Sequence, residues 1–188
     1  DAGTDALAID NEGRYVAYVG WVGEGVYLID TTTNSISQIS EGASSPNTCA
    51  SVSISDDGRY VAFGCYSDAS GNEIYIYDTA AQQLKSIEDK NGAPLDGSEP
   101  MISGNGRYIA FSSSSNALVE GDTDNLQDVF VYDVLSKVIH RVSVTAAGAQ
   151  AYGAAASQFM YPSPGKDGSL VVFITNSGGL SPESTDLH

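Results

Sequence analysis

The sequence predicts an all-β protein of the β-propeller class, in which four-stranded antiparallel blades pack around a common axis. Three observations predict it: a phrase that recurs along the chain, an apolar strand pattern after each copy, and no segment with the period of an amphipathic helix. The phrase has three close copies and one weaker copy, at residues 10–18, 56–63, 104–111 and 166–173. Because one such β unit cannot bury both of its faces, the repetition indicates an array of packed units.

The spacing of the copies suits propeller blades. Their turn glycines are Gly13, Gly58, Gly106 and Gly168, so the first two intervals are 45 and 48 residues and the third is 62. Four-stranded blades repeat at about 40 to 50 residues, and the longer third interval therefore requires an insertion. The small-residue stretch 145–158 fits that insertion and predicts a long loop.

Each unit offers four strands. A short strand precedes the turn, the Arg-Tyr-Val-Ala-aromatic phrase forms the second, an apolar run ending in aspartate forms the third, and a weaker strand follows. In unit one the predicted first, third and fourth strands are 7–9, 26–30 and 35–40. In unit two they are 50–54, 74–78 and 84–88, and in unit three they are 100–103, 129–133 and 138–144. The third-strand runs are apolar on successive residues, which indicates sheets covered on both faces. A β-sandwich would not explain why one phrase recurs at a fixed interval.

The predicted blades span about residues 5–42, 49–94 and 99–145, and a partial fourth blade spans about 157–188. Aligned on the third unit, the fourth ends before its last two strands, so the sequence predicts about three and a half blades and an incomplete ring. An open ring exposes strand edges and an apolar blade face. We therefore expect the chain to be part of a longer protein or to be completed by another chain.

The repeat predicts structural roles for residues that might be mistaken for site residues. The turn glycines permit a left-handed backbone, and the aromatic residues of the phrase fill the contacts between blades. The aspartates that end the third strands cap the following turns. These aspartates are Asp30, Asp78 and Asp133, and the aromatic residues are Tyr15, Tyr18, Tyr60, Phe63, Tyr108 and Phe111.

The phrase Ser-x-Asp-Gly-Arg-Tyr-Val-Ala-Phe, followed by a polar loop and Asp-Val-Phe-Val-Tyr-Asp, resembles the repeat of bacterial TolB-like (WD40-like) β-propellers. Residues 103–133 carry the closest match, and the resemblance covers nearly the whole chain. It implies a periplasmic, secreted or surface protein that serves as a protein-binding or glycan-related module. Such repeats also form gating domains beside peptidases.

Charge is the unusual feature of the composition, with 24 acidic and 8 basic residues and a net charge of −16. This charge repels a phosphate backbone and an anionic membrane surface, so we expect no nucleic-acid partner. No stretch is long and apolar enough for membrane insertion. Cations, basic proteins and neutral glycans stay candidate partners, while the same charge also keeps an all-β surface soluble.

The two cysteines predict a disulfide. If Ser55 faces Arg59 across a hairpin turn, the antiparallel register places Cys49 opposite Cys65. Non-hydrogen-bonded antiparallel pairs bring Cα atoms to about 4.5 Å, which is within disulfide range. The bond would indicate an oxidising compartment, here periplasmic or extracellular; two buried free thiols are the alternative.

The polar loop before the third strand of unit three predicts a calcium site. Alternate carboxylates present hard oxygen ligands on one side of a loop, as calcium requires. The predicted ligands are Asp122, Asp124, Asn125 and Asp128, and the alternative is an Asx-rich turn that leads into a strand. Comparable places in other units hold Asp68, Asn72, Glu73, Glu183 and Asp186.

The sequence favours a binding role and leaves enzymatic activity open. Catalysis by a serine triad needs a histidine held near a nucleophile, and the two histidines are His140 in an outer strand and His188 at the end. No nucleophile elbow, zinc set or phosphate-binding loop occurs. Three hypotheses follow: a module that binds or scaffolds protein or glycan, a hydrolase or polysaccharide lyase whose site forms in the complete ring, and a structural subunit of an extracellular assembly.

Overall fold

The structure is a computed structural model, and it describes residues 6–21, 25–45, 48–68, 71–89, 91–123, 125–150 and 161–175. These residues form three four-stranded antiparallel sheets and one two-stranded sheet. The strands of each four-stranded sheet follow one another in chain order. This arrangement confirms the predicted all-β fold of four-stranded antiparallel blades.

The blades are numbered from the N-terminus. Blade 1 contains β1 (Leu7–Ile9), β2 (Tyr15–Val19), β3 (Val26–Asp30) and β4 (Ser35–Gln38). Blade 2 contains β5 (Cys49–Ile54), β6 (Tyr60–Ser67), β7 (Gly71–Asp78) and β8 (Gln83–Ser86). Blade 3 contains β9 (Ser98–Ile102), β10 (Tyr108–Ser113), β11 (Asp128–Asp133) and β12 (Ile139–Arg141). A final hairpin, which lies within the predicted fourth unit, pairs β13 (Ser163–Pro164) with β14 (Val171–Val172).

A glycine in the left-handed region closes the turn between the first two strands of each blade. In blade 2, Gly58 has a φ of 68° and its N–H donates to the Ser55 carbonyl over 2.9 Å. The Ser55 hydroxyl accepts a hydrogen bond from the Tyr60 N–H over 3.0 Å. Asp10 and Ser103 accept the equivalent bond in blades 1 and 3. These turns confirm the role predicted for the glycines.

An aspartate ends each third strand and caps the turn that follows, as predicted. Asp133 Oδ1 accepts hydrogen bonds from the N–H groups of Leu135 and Ser136, over 2.9 and 3.3 Å. The sequence did not show that Arg107 also binds Asp133, with Nη2 2.8 Å from Oδ2. The Arg107 guanidinium holds the pKa of Asp133 well below its usual range, and it lies 5.0 Å from the centre of the Tyr108 ring. Blades 1 and 2 repeat the pair as Arg14–Asp30 and Arg59–Asp78.

The hydrophobic core lies between blades, and each blade contributes two different faces. The alanine face of blade 1, with Ala17, Val26 and Leu28, packs against the aromatic face of blade 2, with Phe63 and Tyr75. The alanine face of blade 2, with Ala62, Ile74 and Ile76, packs in the same way against the aromatic face of blade 3, with Phe111 and Phe130. The two rings of each aromatic face are stacked, with centroids 5.6 Å apart. Both interfaces between four-stranded blades therefore join an alanine face to an aromatic face.

A tyrosine of each blade lies on the turn glycine of the next blade. A Cβ added to Gly58 would lie 2.6 Å from Cδ2 of Tyr15, and one added to Gly106 would lie 2.7 Å from Cδ2 of Tyr60. Tyr108 approaches Gly168 in the same way. These contacts confirm that the first tyrosine of each phrase packs between blades.

Backbone hydrogen bonds between successive turns reinforce these contacts. The Asn11 N–H donates to the Asp56 carbonyl over 3.1 Å, and the Asp56 N–H donates to the Gly104 carbonyl over 2.9 Å. The Asn105 N–H donates to the Lys166 carbonyl over 2.8 Å, which extends the series to the final hairpin. The turns of all four units therefore form one connected row.

Cys49 and Cys65 form the predicted disulfide, although the register that predicted it is wrong. Ile54 pairs with Val61 and Ser51 with Gly64, so the hairpin is one residue out of step with that prediction. A β-bulge between Cys49 and Ser51 then shifts the ladder by one residue and places the cysteines opposite each other. The disulfide therefore depends on a bulge that the sequence did not reveal.

Removal of this disulfide should lower stability markedly. We expect the Cys49→Ser/Cys65→Ser variant to lose about 3 kcal/mol of unfolding free energy, because a cross-link of this span removes loop-closure entropy from the unfolded chain. Urea unfolding with and without reductant measures the difference, and the double variant is the control because it should not respond to reductant. Equal midpoints for the oxidised and reduced wild type would contradict the expectation.

Candidate functional site

The carboxylates of the predicted calcium loop meet a guanidinium group. Nη1 of Arg141 lies 3.6 Å from Oδ2 of Asp122 and 3.4 Å from Oδ2 of Asp128. All three side chains are buried, and the Arg141 side chain is only 9% exposed. The Ser143 hydroxyl donates to Asp128 Oδ1 over 2.5 Å, and Gln150 Nε2 lies 3.3 Å from Asp122 Oδ1. The two carboxylates are thus held together by a cation that belongs to the chain.

Strand pairing explains why Arg141 reaches this loop. β12 pairs with β11, and Phe130 lies opposite Arg141, so the guanidinium lies close to the start of β11 and its Asp128. The loop sequence alone does not reveal Arg141, because this residue lies on the neighbouring strand β12. The signal that could have found it is Arg141 on the predicted fourth strand, which must pair with the third strand that begins beside Asp128.

Calcium binding at this loop stays a prediction. Asn125 adopts a left-handed φ of 52°, as an Asx-rich turn would, and Asp124 lies outside the described residues. Within the described ranges, no group of three or more His, Cys, Asp or Glu residues is arranged to hold a metal ion. The described geometry shows Asp122 and Asp128 bound to Arg141, which supplies the positive charge that calcium would bring.

The other predicted polar positions are dispersed. Asp68 and Asn72 are exposed, whereas Glu73 is buried and accepts a hydrogen bond from the Tyr75 hydroxyl. His140 is exposed on β12, and no serine is hydrogen-bonded to it among the described residues. Glu183, Asp186 and His188 lie outside the described residues. The hydrolase or lyase hypothesis therefore gains no support from these positions and stays a prediction.

Two carboxyl groups near the start of blade 3 have perturbed acidity. Burial raises the pKa of Asp96 and of Glu99. Glu99 has a left-handed φ of 53° at the irregular part of β9. Shifted pKa values of this kind occur at functional sites and also in purely structural surroundings. Among the described residues, neither carboxyl group belongs to a set that could hold a metal ion.

The aromatic face of blade 1 is the one face of this kind without a packed blade in the described part of the chain. Its stacked pair is Tyr18 and Tyr27, with ring centroids 5.5 Å apart, and both rings are only half-buried. Leu7, Ile9 and Ile36 border the pair, with exposures of 69%, 61% and 62%. The prediction that Tyr18 packs between blades is therefore not met by any described contact.

The repeat shows what kind of surface this face normally meets. Phe63 and Tyr75 occupy the positions of Tyr18 and Tyr27 one blade later, and there the alanine face of blade 1 buries both rings almost completely. Exposed apolar patches rimmed by polar residues usually mark interaction sites. The open aromatic face of blade 1 is accordingly the candidate functional surface of the described residues.

Comparisons with solved structures match this fold. TolB from Acinetobacter baumannii superposes with a TM-score of 0.60 at 19% identity, over 93% of this chain and 38% of that one. An oligogalacturonate lyase from Vibrio parahaemolyticus superposes with a TM-score of 0.59 at 13% identity, over 89% of this chain and 44% of that one. The β-propeller domain of Cps50 from Myceliophteria thermophila superposes with a TM-score of 0.55 at 12% identity, over 91% of this chain and 48% of that one. No family model and no curated protein matches the sequence.

These similarities establish the class of the protein. The chain is a segment of a β-propeller, and it spans less than half the length of each of these three proteins. At such low identity the likeness concerns the fold alone. The described blades do not close a ring, in agreement with the incomplete propeller that the repeat count predicted.

Proposed function

We propose that this chain is a binding and scaffolding module of a periplasmic or extracellular propeller protein, with proteins or glycans as partners. The observation that carries the proposal is the open aromatic face of blade 1. Further blades of the same repeat, in a longer protein or in another chain, cover this face and complete the ring. If another chain supplies these blades, the module is a structural subunit of an assembly.

The disulfide supports the proposed location, because such bonds persist mainly in oxidising compartments. Among the described residues, no helix is long and apolar enough to cross a membrane. The net charge of −16 supports basic proteins and neutral glycans over anionic partners. The repeat itself supports the kind of surface that covers blade 1, since an alanine face meets an aromatic face at both complete interfaces.

A charge placed on the open face tests the proposal in the protein isolated from its own cells. We expect Ile36→Glu to dissociate a companion chain in native mass spectrometry or, in a longer polypeptide, to lower the unfolding free energy by about 2 kcal/mol or more. The physical reason is the burial of an apolar side chain of this size, worth about 1.5 to 3 kcal/mol.

The matched control is Leu135→Glu, at a position that is 75% exposed in the turn after β11 and away from the open face. This control variant should change neither the native mass of the complex nor the free energy of unfolding. An isolated mass equal to the 19.6 kDa of this chain alone, or equal behaviour of the two variants, would overturn the proposal.

A further inference from the structure

The β1–β2 turn of blade 1 has an open recess at Gly13, and the equivalent turns show what such a recess accepts. At Gly58 and Gly106 a tyrosine of the preceding blade lies so close that an added Cβ would be 2.6 and 2.7 Å from its ring. At Gly13 an added Cβ would meet only Cδ1 of Ile9, at 3.9 Å. The space that a tyrosine ring fills on the other turns is therefore open on this one.

The isoleucine beside the turn glycine shows the same difference. Ile102 of blade 3 is 6% exposed and packs in one cluster with Tyr60 of blade 2. Ile9 holds the same position in blade 1, four residues before the turn glycine, and it is 61% exposed. A tyrosine from a preceding blade would cover Ile9 as Tyr60 covers Ile102, and burial of this apolar surface favours the contact.

The backbone of the same turn offers a second point of attachment. The Asn11 N–H donates to the Asp56 carbonyl, and the Asp56 N–H donates to the Gly104 carbonyl, so these turns accept an N–H from the turn before them. The equivalent acceptor in blade 1 is the Asn11 carbonyl, and no described N–H donates to it. The Gly13 recess and the Asn11 carbonyl thus match the ring and the N–H of one and the same turn.

The tyrosines that occupy the other recesses all belong to the sequence Gly-Arg-Tyr. In blades 1, 2 and 3 the arginine guanidinium lies 4.6, 5.0 and 5.0 Å from the centre of the tyrosine ring. The same arginine binds the aspartate at the end of the third strand. The ring is therefore held by its own blade before it meets the next turn, so the recess fits a complete blade rather than a short peptide.

A second copy of this chain does not offer a suitable turn. Its three repeat tyrosines already lie on turn glycines of the same copy. The turn of its fourth unit carries Ser169 and Leu170 where the other units carry arginine and tyrosine. Leucine has no ring over which a guanidinium can lie. The recess at Gly13 therefore favours a blade that is not one of these four units.

We propose that the open aromatic face of blade 1 binds a further blade of this repeat whose turn reads Gly-Arg-Tyr. The tyrosine of that blade lies on Gly13, and an N–H of its turn donates to the Asn11 carbonyl. This inference rests on the proposed function and adds the identity of the partner. The two fail separately, because Ile36→Glu reports whether the face is covered and Gly13→Ala reports what covers it.

The test compares Gly13→Ala with Gly148→Ala in the 188-residue chain alone and in the protein isolated from its own cells. The two glycines have similar φ values of 70° and 74°, and neither new methyl group would meet a described atom closer than 3.9 Å. In the chain alone, both variants should therefore lower the urea midpoint of unfolding equally. In the protein isolated from cells, the methyl group at residue 13 overlaps the partner's tyrosine ring. Gly13→Ala should then weaken binding of a companion chain by about tenfold or more. In a longer polypeptide it should lower the midpoint about twice as far as Gly148→Ala.

Gly58→Ala is the positive control, since Tyr15 already lies on that glycine in the chain alone. Equal effects of Gly13→Ala and Gly148→Ala in the protein from cells, where Ile36→Glu does act, would overturn this inference and leave the proposed function in place. A complex with a mass that is a whole multiple of 19.6 kDa would overturn it too, because it would consist of copies of this chain. Peptide mapping must find Gly-Arg-Tyr in the companion chain or in the rest of the longer polypeptide, and its absence would overturn the inference as well.

Discussion

The Arg141→Met variant should lose about 3 to 5 kcal/mol of unfolding free energy. Arg141 is the buried cation between Asp122 and Asp128, at 3.6 and 3.4 Å. Methionine keeps much of the side-chain volume but leaves two carboxylates close together in a buried site without their counter-ion. The loss of a buried partner costs far more than the pair itself contributes, because the remaining charges stay desolvated. Chemical unfolding monitored by circular dichroism measures the change.

The control for Arg141 is Arg59→Met, which breaks the ion pair with Asp78 at a guanidinium that is 52% exposed. This variant should lose only about 1 kcal/mol or less. A cost for Arg141→Met no larger than that of Arg59→Met would contradict the buried-pair interpretation. Addition of calcium to Arg141→Met then tests the predicted ligands directly, because recovery of stability with calcium but not with sodium requires oxygen ligands for a divalent ion.

The Gly58→Ala variant should lose about 2 to 5 kcal/mol, through two separable costs. The φ of 68° costs about 1 to 2 kcal/mol for any residue with a Cβ. The new methyl group would lie 2.6 Å from both Cδ2 of Tyr15 and Oδ2 of Asp10, and such overpacking costs about 1 to 3 kcal/mol more. Thermal and chemical unfolding of the variant measure the sum.

Gly148→Ala separates the two costs. Gly148 has a φ of 74°, but a Cβ at this position would meet nothing within 4 Å. This variant should therefore show only the backbone cost of about 1 to 2 kcal/mol. The difference between the variants then reports the contact between blade 1 and blade 2. Equal losses of unfolding free energy in the two variants would show that Tyr15 moves away from the new methyl group at little cost.

The repeat allowed the fold to be predicted well because its pattern is local. Turn glycines, apolar strand runs and the capping aspartates depend on neighbours within a few residues, and the structure places them as expected. Contacts across larger separations were harder to predict. The Arg107–Asp133 pair joins the start of β10 to the end of β11, and it becomes visible only once the strands are paired.

The candidate sites show the same limit. The disulfide partners were identified, but the bulge between Cys49 and Ser51 was not, because a bulge changes register without a clear sequence signal. The loop at Asp122 was interpreted as a place for an external cation, since nothing within the loop suggested Arg141. The hydrogen bond from the Ser44 N–H to the Tyr75 hydroxyl joins a loop of blade 1 to a strand of blade 2, and only the packed blades bring those segments together.

The contact of Tyr15 with Gly58, repeated at each boundary, gives the array a direction. Each of the first three units presents a tyrosine to the following unit, and its own turn glycine leaves room for the tyrosine of the preceding unit. Successive units therefore fit together in one order only. A copy of one unit made by gene duplication would therefore already possess both parts of the joint. Such an array can gain or lose whole units without a new interface having to evolve, as other repeat architectures do.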